Sequence, residues 1–289
     1  MSDTLTGLPA EAPAGARPPP HPALPHPAPN PAPQHPALPR PARPAGDPST
    51  CLWRPAPGVA LVLARVDRVL AAPAALDRLR PEEQRAAAAM APWRAREHLA
   101  GRALLRTLLA RLLGEADARG PVVPEPAGRP RLPGSPRTGV SISHSGPYAA
   151  AAVGIGLDVG VDVQVPCPPS AGMLRRCCPP HTAARLTSLP PGAAARAFAR
   201  VWTVQEACVK ARGTGLPGAP WRIRADLDAP AGSWGRLRWS RLTVPAPPAA
   251  EVPAVACAFG PADPAAVPAP GHPTPAWRNP MPTEDPDAY

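Results

Sequence analysis

The stretch VWTVQEACVKARGTGL, residues 201–216, carries apolar side chains at helical spacing followed by two glycines, so it predicts the last turns of a helix and its end. It contains Lys210, the only lysine of the chain; every other residue among the 31 lysines and arginines is arginine. Arginine would serve equally well in a surface ion pair. A compact ammonium differs from a guanidinium where it must fit among phosphate oxygens beside a metal, so Lys210 is a candidate functional residue.

The same apolar spacing continues on the N-terminal side of residue 201, so it predicts one helix over residues 192–212. Trp202, Glu206 and Lys210 are spaced four residues apart and therefore share one face of this helix. A neighbouring apolar stripe consists of Phe198, Val201 and Cys208. Two interpretations of Glu206 and Lys210 stay open: a solvent-exposed ion pair worth about 0.3–0.5 kcal/mol, or a pair of functional groups.

Proline is concentrated at both ends of the 289-residue chain, which contains 51 prolines. Residues 1–50 include the pentapeptide HPALP twice, and residues 261–289 have a similar composition. Such segments favour extended polyproline conformations and carry too few apolar side chains to offset the entropy of ordering the chain. We therefore expect two disordered tails around a folded body of roughly 200 residues.

The order of elements in the body predicts an α+β fold rather than a regular alternation of strands and helices. The predicted strands cover 58–67, 138–146, 148–156, 157–165, 235–244 and 251–259. The predicted helices cover 81–90, 92–113, 179–188 and 192–212, the second with an apolar stripe of Leu99, Ala103, Leu104, Leu108 and Leu112. This order divides near Gly156 into two similar halves, 51–156 and 157–260.

The net charge of +10 at pH 7 indicates an anionic partner: a nucleic acid, a phosphate-rich cofactor or an acidic protein. Two interpretations without catalysis stay open. A nucleic-acid-binding protein fits the charge, but the aromatic content is only 4% and no recognised binding motif is present. A polyproline interaction protein would use the tails alone. The six cysteines form no CxxC pair, and no signal peptide or membrane-spanning stretch is recognisable, so we expect a reduced, cytoplasmic protein.

The stretch LDVGVDVQV, residues 157–165, places acidic and amide side chains on one side of a predicted strand. Asp158, Asp162 and Gln164 alternate with apolar residues, although aspartate is a poor strand former. Asp162 is either a surface residue at a strand end or a ligand for a hard cation such as Mg²⁺, which prefers carboxylate and amide oxygens.

Two further segments could bind phosphate. SISHSG places Ser143 and His144 at a strand end that enters a turn, and GRPRLPG adds Arg129 and Arg131. Adjacent serine and histidine cannot form a hydrolase triad by themselves, but a hydroxyl and an imidazole beside turn amides can bind phosphate, and arginine forms forked bonds to it. The alternatives are a structural histidine and ordinary solvated arginines.

Four blocks of the chain, taken in order, resemble the 4′-phosphopantetheinyl transferases, in particular the larger monomeric class typified by the surfactin-synthetase-activating enzyme. In that family the blocks have the forms G-[KR]-P, [FV]-x-[LI]-S-H-S, G-[VI]-D-[IV]-E and W-[ST]-x-K-E-A-x-x-K-x-x-G-x-G-L. The corresponding segments here are GRP (128–130), VSISHS (140–145), GVDVQ (160–164) and WTVQEACVKARGTGL (202–216). REHLAGRALLR (96–106) also resembles a helix of the family's first half, and the whole resemblance covers about residues 59–259.

The resemblance implies two pseudo-symmetric α+β halves with coenzyme A bound between them. The implied reaction moves the 4′-phosphopantetheine arm of coenzyme A to a serine of an apo acyl or peptidyl carrier protein and releases adenosine 3′,5′-bisphosphate. The implied metal is Mg²⁺ or Mn²⁺, and its implied ligands are Asp162, Glu206 and Gln164. The implied catalytic residues are Glu206, Lys210 and Asp162, with Glu206 as the base for the serine hydroxyl. The implied contacts to coenzyme A are Arg129, Ser143, His144, Lys210 and Arg96.

The resemblance further implies a monomeric, cytoplasmic enzyme of secondary metabolism that binds neither nucleic acid nor membranes. The chain departs from the family pattern at two positions, since the family often has Glu where Gln164 stands and Lys where Gln205 stands. Gln164 can offer a neutral oxygen to a metal but no charge. We therefore expect an active enzyme with weaker metal affinity, in which Asp162 and Glu206 provide the charge.

Overall fold

The computed structural model of the protein describes residues 50–245 and 252–262. Apart from Thr50, Pro261 and Ala262, the two predicted tails, 1–50 and 261–289, lie outside the described residues. The described part has an α+β fold, which confirms the predicted fold class. Each of its two halves combines a four-stranded sheet, in which all neighbouring strands are antiparallel, with one long helix.

The first half ends at Ile155. Its strands are β1 (Cys51–Ala56), β2 (Val59–Arg65), β3 (Val123–Pro124), β4 (Pro130–Arg131), β5 (Thr138–Ser145) and β6 (Tyr148–Ile155). Its helices are α1 (Val66–Leu70), α2 (Pro73–Leu76), α3 (Pro81–Ala88), α4 (Pro92–Leu112) and α5 (Glu115–Arg119). The strand order of its main sheet is β1-β2-β6-β5, while β3 and β4 form a separate two-stranded hairpin.

The second half begins at Leu157. Its strands are β7 (Leu157–Gln164), β8 (Ala231–Trp234), β9 (Leu237–Leu242) and β10 (Ala254–Pro261), in the order β7-β10-β9-β8. Its helices are α6 (Ala171–Cys177), α7 (Pro180–Thr187) and α8 (Pro191–Arg212), followed by two 3₁₀ turns, Leu216–Gly218 and Pro220–Arg222. No helix in the described ranges is both long and apolar enough to cross a membrane.

Helix α4 packs against one face of the first sheet. It begins with Pro92, which is favourable at a first helical position because the N–H that proline lacks has no partner there. Ala103, Leu104 and Leu108 of the predicted stripe are buried in a cluster with apolar residues of β2, β5 and β6. Gly101 allows the helix to approach β5 closely, since a Cβ atom at this position would lie 2.6 Å from Ile142 Cγ2.

Helix α8 packs even more tightly against the second sheet. The buried residues of its apolar stripe, Phe198, Val201 and Cys208, confirm the predicted core face. At Gly160 of β7 the two backbones meet, because a Cβ atom there would overlap Ala207 O of the helix. The helix ends at Gly213, whose left-handed backbone conformation (φ 67°) is the usual role of a glycine after the last turn.

The outer strands of the two sheets, β5 and β7, lie side by side and run in the same direction. The hydroxyls of Ser141, Ser143 and Ser145, which we call the serine ladder, accept hydrogen bonds from backbone N–H groups of the second half. The donors are Val161, Val163 and Val165, at 3.0, 3.3 and 3.0 Å respectively. The ladder satisfies backbone donors that would otherwise be buried without partners. It also fixes the register between the two halves.

Several short elements differ from the expectation. The strand predicted over 58–67 ends at Arg65, where α1 begins, and the turn predicted at GRPRLPG includes β4. Strands β1 and β8 and helices α1, α2, α5 and α6 were not predicted. These segments have four to seven residues, which is too short for a clear periodicity, and their conformation depends on packing against the two sheets.

Replacing Gly160 with alanine is expected to destabilise the protein by about 3 kcal/mol, the upper end of the usual cost of overpacking, because the new methyl group would force β7 away from α8. The measurement is the free energy of unfolding from urea titration. Gly134→Ala is the matched control, since a Cβ atom at Gly134 meets nothing within 4 Å. Equal stability of the two variants would contradict the proposed contact.

Candidate active site

Asp162 is buried in strand β7, with an exposed fraction of 5%, so its interpretation as a surface residue is wrong. Lys210 of α8 donates a hydrogen bond to Asp162 Oδ1 over 2.6 Å, and the Ser143 hydroxyl donates to the same oxygen over 2.8 Å. Lys210 also donates to Ser143 Oγ over 3.1 Å. Because Ser143 Oγ also accepts from Val163, all hydrogen-bonding positions of this hydroxyl are used by the protein.

Glu206 lies one helical turn before Lys210, with its carboxyl group largely buried. Burial raises the pKa of Glu206 to about 7; the charge of Lys210 opposes this rise, and the charge of Asp162 adds to it. Glu206 Oε1 is buried and has no hydrogen-bond partner in the described part of the chain. Lys210 pairs with Asp162, so the solvent-exposed Glu206–Lys210 pair is not what the structure shows. The buried oxygen of Glu206 is thus available to a proton or a cation.

His144, at the end of β5, is held between two side chains of α4. Its Nε2 lies 2.8 Å from Arg94 Nη1, and its Nδ1 lies 3.2 Å from Glu97 Oε2. A guanidinium can only donate, so Nε2 accepts and the proton of the neutral ring resides on Nδ1, facing Glu97. Burial and the charges of Arg94 and Lys210 lower the pKa of His144 to about 4. His144 is therefore a neutral imidazole at physiological pH.

Arg129 and Arg131 face the interior rather than solvent, so their interpretation as ordinary solvated charges is wrong. Arg129 Nε donates to Glu125 over 2.8 Å, and its Nη1 donates to Asp158 Oδ1 over 3.1 Å and to Ala211 O over 2.9 Å. Arg131 Nε donates to the same Glu125. Arg129 thus ties the β3–β4 hairpin to the start of β7 and to the last turn of α8.

Within the described residues, no hydrogen bond or ion pair joins Gln164 or Arg96 to the Asp162–Lys210 pair. The hydrogen bond recorded for the Gln164 side chain runs from Nε2 to Val165 O over 3.0 Å. Arg96 is exposed, and the α4 arginine that contacts His144 is Arg94. In the described ranges no group of three or more histidine, cysteine, aspartate or glutamate side chains could hold a metal ion. The carboxylates available to a metal at this place are therefore the pair Asp162 and Glu206.

Gln205 stands where the family that the sequence resembles often has lysine, and its side chain forms hydrogen bonds inside the protein. It is buried, and its amide nitrogen donates to Cys177 O over 2.8 Å and to Ile223 O over 2.9 Å. These bonds attach α8 to the end of α6 and to the 3₁₀ turn that includes Arg222. Gln205 therefore acts as a structural donor in the turn of α8 that also carries Glu206.

Sequence reasoning missed Arg94 and Glu97, which hold His144. The signal in the sequence was helical spacing. Arg94, Glu97 and Gly101 fall on one face of the helix that contains REHLAGRALLR (96–106). Since charged residues near the start of a helix are usually solvated, their contact with a strand end becomes visible only in the folded structure.

Replacing Gln205 with leucine is expected to lower the free energy of unfolding by about 2–4 kcal/mol, because two buried carbonyls lose their donor. Gln84→Leu, at an exposed position of α3, is the control. A Gln205→Leu protein as stable as this control would show that the two bonds contribute nothing.

Lowering the pH from about 6.5 to about 4 is expected to destabilise the protein through His144, because in that window the unfolded chain binds a proton that the folded protein does not. In the His144→Gln variant, the loss of unfolding free energy over this pH range should be smaller by up to about 3 kcal/mol. The measurement is urea unfolding as a function of pH, with exposed His181→Gln as the control. Identical pH profiles for wild type and His144→Gln would rule out the neutral, buried imidazole.

Comparison with known proteins identifies both halves. Residues 82–154 match the 4′-phosphopantetheinyl transferase N-terminal domain, and residues 158–247 match the 4′-phosphopantetheinyl transferase superfamily. A Synechocystis sp. protein named as a candidate 4′-phosphopantetheinyl transferase is 31% identical over 121 residues, or 40% of this chain. The chain spans about half of that relative's length (49%). Over residues 82–154 and 158–247, the protein belongs to the 4′-phosphopantetheinyl transferase superfamily.

Proposed function

We propose that the protein transfers the 4′-phosphopantetheine arm of coenzyme A to a serine of an apo acyl or peptidyl carrier protein and releases adenosine 3′,5′-bisphosphate. The observation that carries this proposal is the convergence of buried Asp162 and of Glu206, whose Oε1 atom is buried, with the only lysine of the chain. A phosphoryl transfer needs positive charge and a base close to the reacting phosphate, and the cluster contains both.

The cluster fits a divalent cation. Glu206 Oε1 is buried without a partner in the described chain, and the neighbouring charge of Asp162 disfavours its ionisation. Carboxylate oxygens are the ligands that Mg²⁺ prefers, so Asp162 and Glu206 would hold the metal, and Gln164 would need to redirect its side chain to join them. When bound, Mg²⁺ supplies positive charge that offsets the charge developing on the diphosphate.

Lys210 would bind a diphosphate oxygen of coenzyme A. In the structure its ammonium is directed by Asp162 Oδ1 and Ser143 Oγ, which fix its position before substrate arrives. An ammonium has three donors, so the nitrogen can keep both protein contacts and still donate to a phosphate. We assign Ser143 to the positioning of Asp162 and Lys210, because its hydroxyl is fully used by the protein.

Glu206 would accept the proton of the carrier serine. Burial raises the pKa of Glu206 to about 7 in the metal-free protein, and the charge of a bound cation would lower this pKa, so that Glu206 would be the carboxylate that a base requires. Glu206 and Lys210 lie one turn apart on the same helical face, so proton acceptance would occur beside phosphate binding.

The remaining phosphate of coenzyme A would lie at the opposite side of the cluster, against Arg94 and His144. The neutral ring of His144 directs the Arg94 guanidinium, which has further donors to offer to an anion. Arg129 would act indirectly, since its donors hold Glu125, Asp158 and Ala211. Exposed Arg96 would contribute long-range attraction rather than a contact.

We further propose that the protein is a monomer of the larger, surfactin-synthetase-activating class and that it serves carrier proteins of secondary metabolism in the cytoplasm. The arrangement of two α+β halves in one chain supports the class assignment. Its net charge of +10 is complementary to coenzyme A and to an acidic carrier surface.

Incubation of the full chain with an apo carrier protein, coenzyme A and Mg²⁺ tests the proposal by intact mass measurement. The carrier should gain the mass of one phosphopantetheine group, and Glu206→Gln should slow this gain by about 100-fold or more because the base and a metal ligand are lost together. Lys210→Arg should slow it by about 10-fold or more, since a guanidinium does not fit the position of the ammonium.

The reciprocal substitution at exposed Arg212, Arg212→Lys, is the matched control and should leave transfer unchanged. Transfer at wild-type rate by Lys210→Arg would refute the role given to the single lysine. A carrier mass that stays constant with fatty-acid, polyketide and peptide-synthetase carriers alike would refute the activity itself.

A further inference from the structure

A cavity lies in the second half of the protein, beside Arg200 of α8 and the start of β10. Its volume is about 460 Å³, within the range of small-molecule sites. Its walls combine apolar side chains, among them Leu227, Leu242 and Val255, with the three arginines Arg196, Arg200 and Arg241. A cavity with this lining differs from an ordinary surface depression because it concentrates positive charge beside apolar surface.

Arg241 is a buried cation whose hydrogen-bond partners are neutral. Its residue is 8% exposed, and its guanidinium donates to four backbone carbonyls. These are Arg200 O, Leu227 O, Ala229 O and Asp226 O. A guanidinium has five N–H donors, so one stays available. Burial and the neighbouring charge of Arg200 lower the pKa of Arg241 to about 10. A buried charge held only by neutral groups is costly.

The acidic residues nearby do not pair with this cation. Asp228 also lines the cavity, but its carboxylate forms an ion pair with Arg185 over 3.0 Å. Asp226 Oδ1 accepts the backbone N–H of Asp228 over 2.8 Å. Among the described residues, neither Arg196 nor Arg200 forms a side-chain ion pair. The cavity therefore has an excess of positive charge, with three arginines against one aspartate.

We propose that this cavity binds a small organic anion composed of a carboxylate or phosphate head and an apolar chain. The anionic head of the ligand would be held by Arg196 and Arg200, above the buried charge of Arg241. The apolar chain of the ligand would lie against Leu227, Leu242 and Val255. The two exposed arginines are spaced four residues apart, so they project from the same face of α8. Their side chains can close on one head group from the same side.

The site is separate from the proposed reaction. Arg200 and Lys210 both lie on α8, ten residues apart, which corresponds to about 15 Å along the helix. None of the residues that line the cavity belongs to the Asp162, Glu206 and Lys210 cluster. Binding in this cavity therefore does not depend on the proposed transferase activity.

Isothermal titration calorimetry of the full chain with octanoate and with octyl phosphate tests the proposal. Saturable one-to-one binding of either amphiphile is expected. Octanol and inorganic phosphate should bind at least about 10-fold more weakly, because octanol lacks the anionic head and inorganic phosphate lacks the apolar chain. Arg200→Gln and Arg196→Gln should each weaken amphiphile binding about 10-fold, with circular dichroism confirming that the variants are folded.

Two matched variants locate the site. Arg238→Gln removes an exposed arginine that does not line the cavity, and Glu206→Gln alters the candidate active site; both should bind the amphiphiles like wild type. Absence of saturable binding, or equal binding by octanol or by inorganic phosphate, would overturn the proposal. So would affinity that is unchanged in Arg196→Gln and Arg200→Gln, or lost in Glu206→Gln.

Discussion

The contact between the backbones of β7 and α8 is the constraint on which the candidate site depends. At Gly160 the strand approaches the helix so closely that no side chain fits between them. Two residues later on the strand stands Asp162, and the facing turns of the helix carry Glu206 and Lys210. Side chains separated by more than forty positions in the sequence therefore meet, because a single residue type permits their backbones to touch.

This arrangement places two carboxyl groups and one ammonium in a region of low solvent exposure. The ammonium neutralises Asp162, while Glu206 keeps a buried oxygen without a protein partner and a pKa raised to about 7. Such an imbalance is unfavourable for the isolated fold and is typical of sites built to receive charge from a ligand. Stability would thus be given up at the place where the proposed phosphate chemistry requires a base and positive charge.

Much of the fold and part of the candidate site could be predicted from the sequence. Long elements with clear periodicity, α4, α8 and strands β5 to β7, follow from the spacing of their apolar residues. Lys210 and Asp162 stood out because their residue types are unusual for their surroundings. Apart from Glu125, which is four residues from Arg129, the partners of Arg129 and Ser143 could not be predicted, because they come from distant segments. Strand β1 was missed since it contains Pro55 and directly follows a proline-rich segment.

The serine ladder has a consequence for how a ligand can enter. Separating β5 from β7 would take the serine hydroxyl acceptors away from three valine N–H groups. It would also break the hydrogen bond from the Ser143 hydroxyl to Asp162. Because water can replace the lost partners when the strands separate, each lost hydrogen bond costs about 0.5–1.5 kcal/mol net, and their sum opposes a hinge motion along this line. Ligand binding at the Asp162–Lys210 pair is therefore expected to leave β5 and β7 in register.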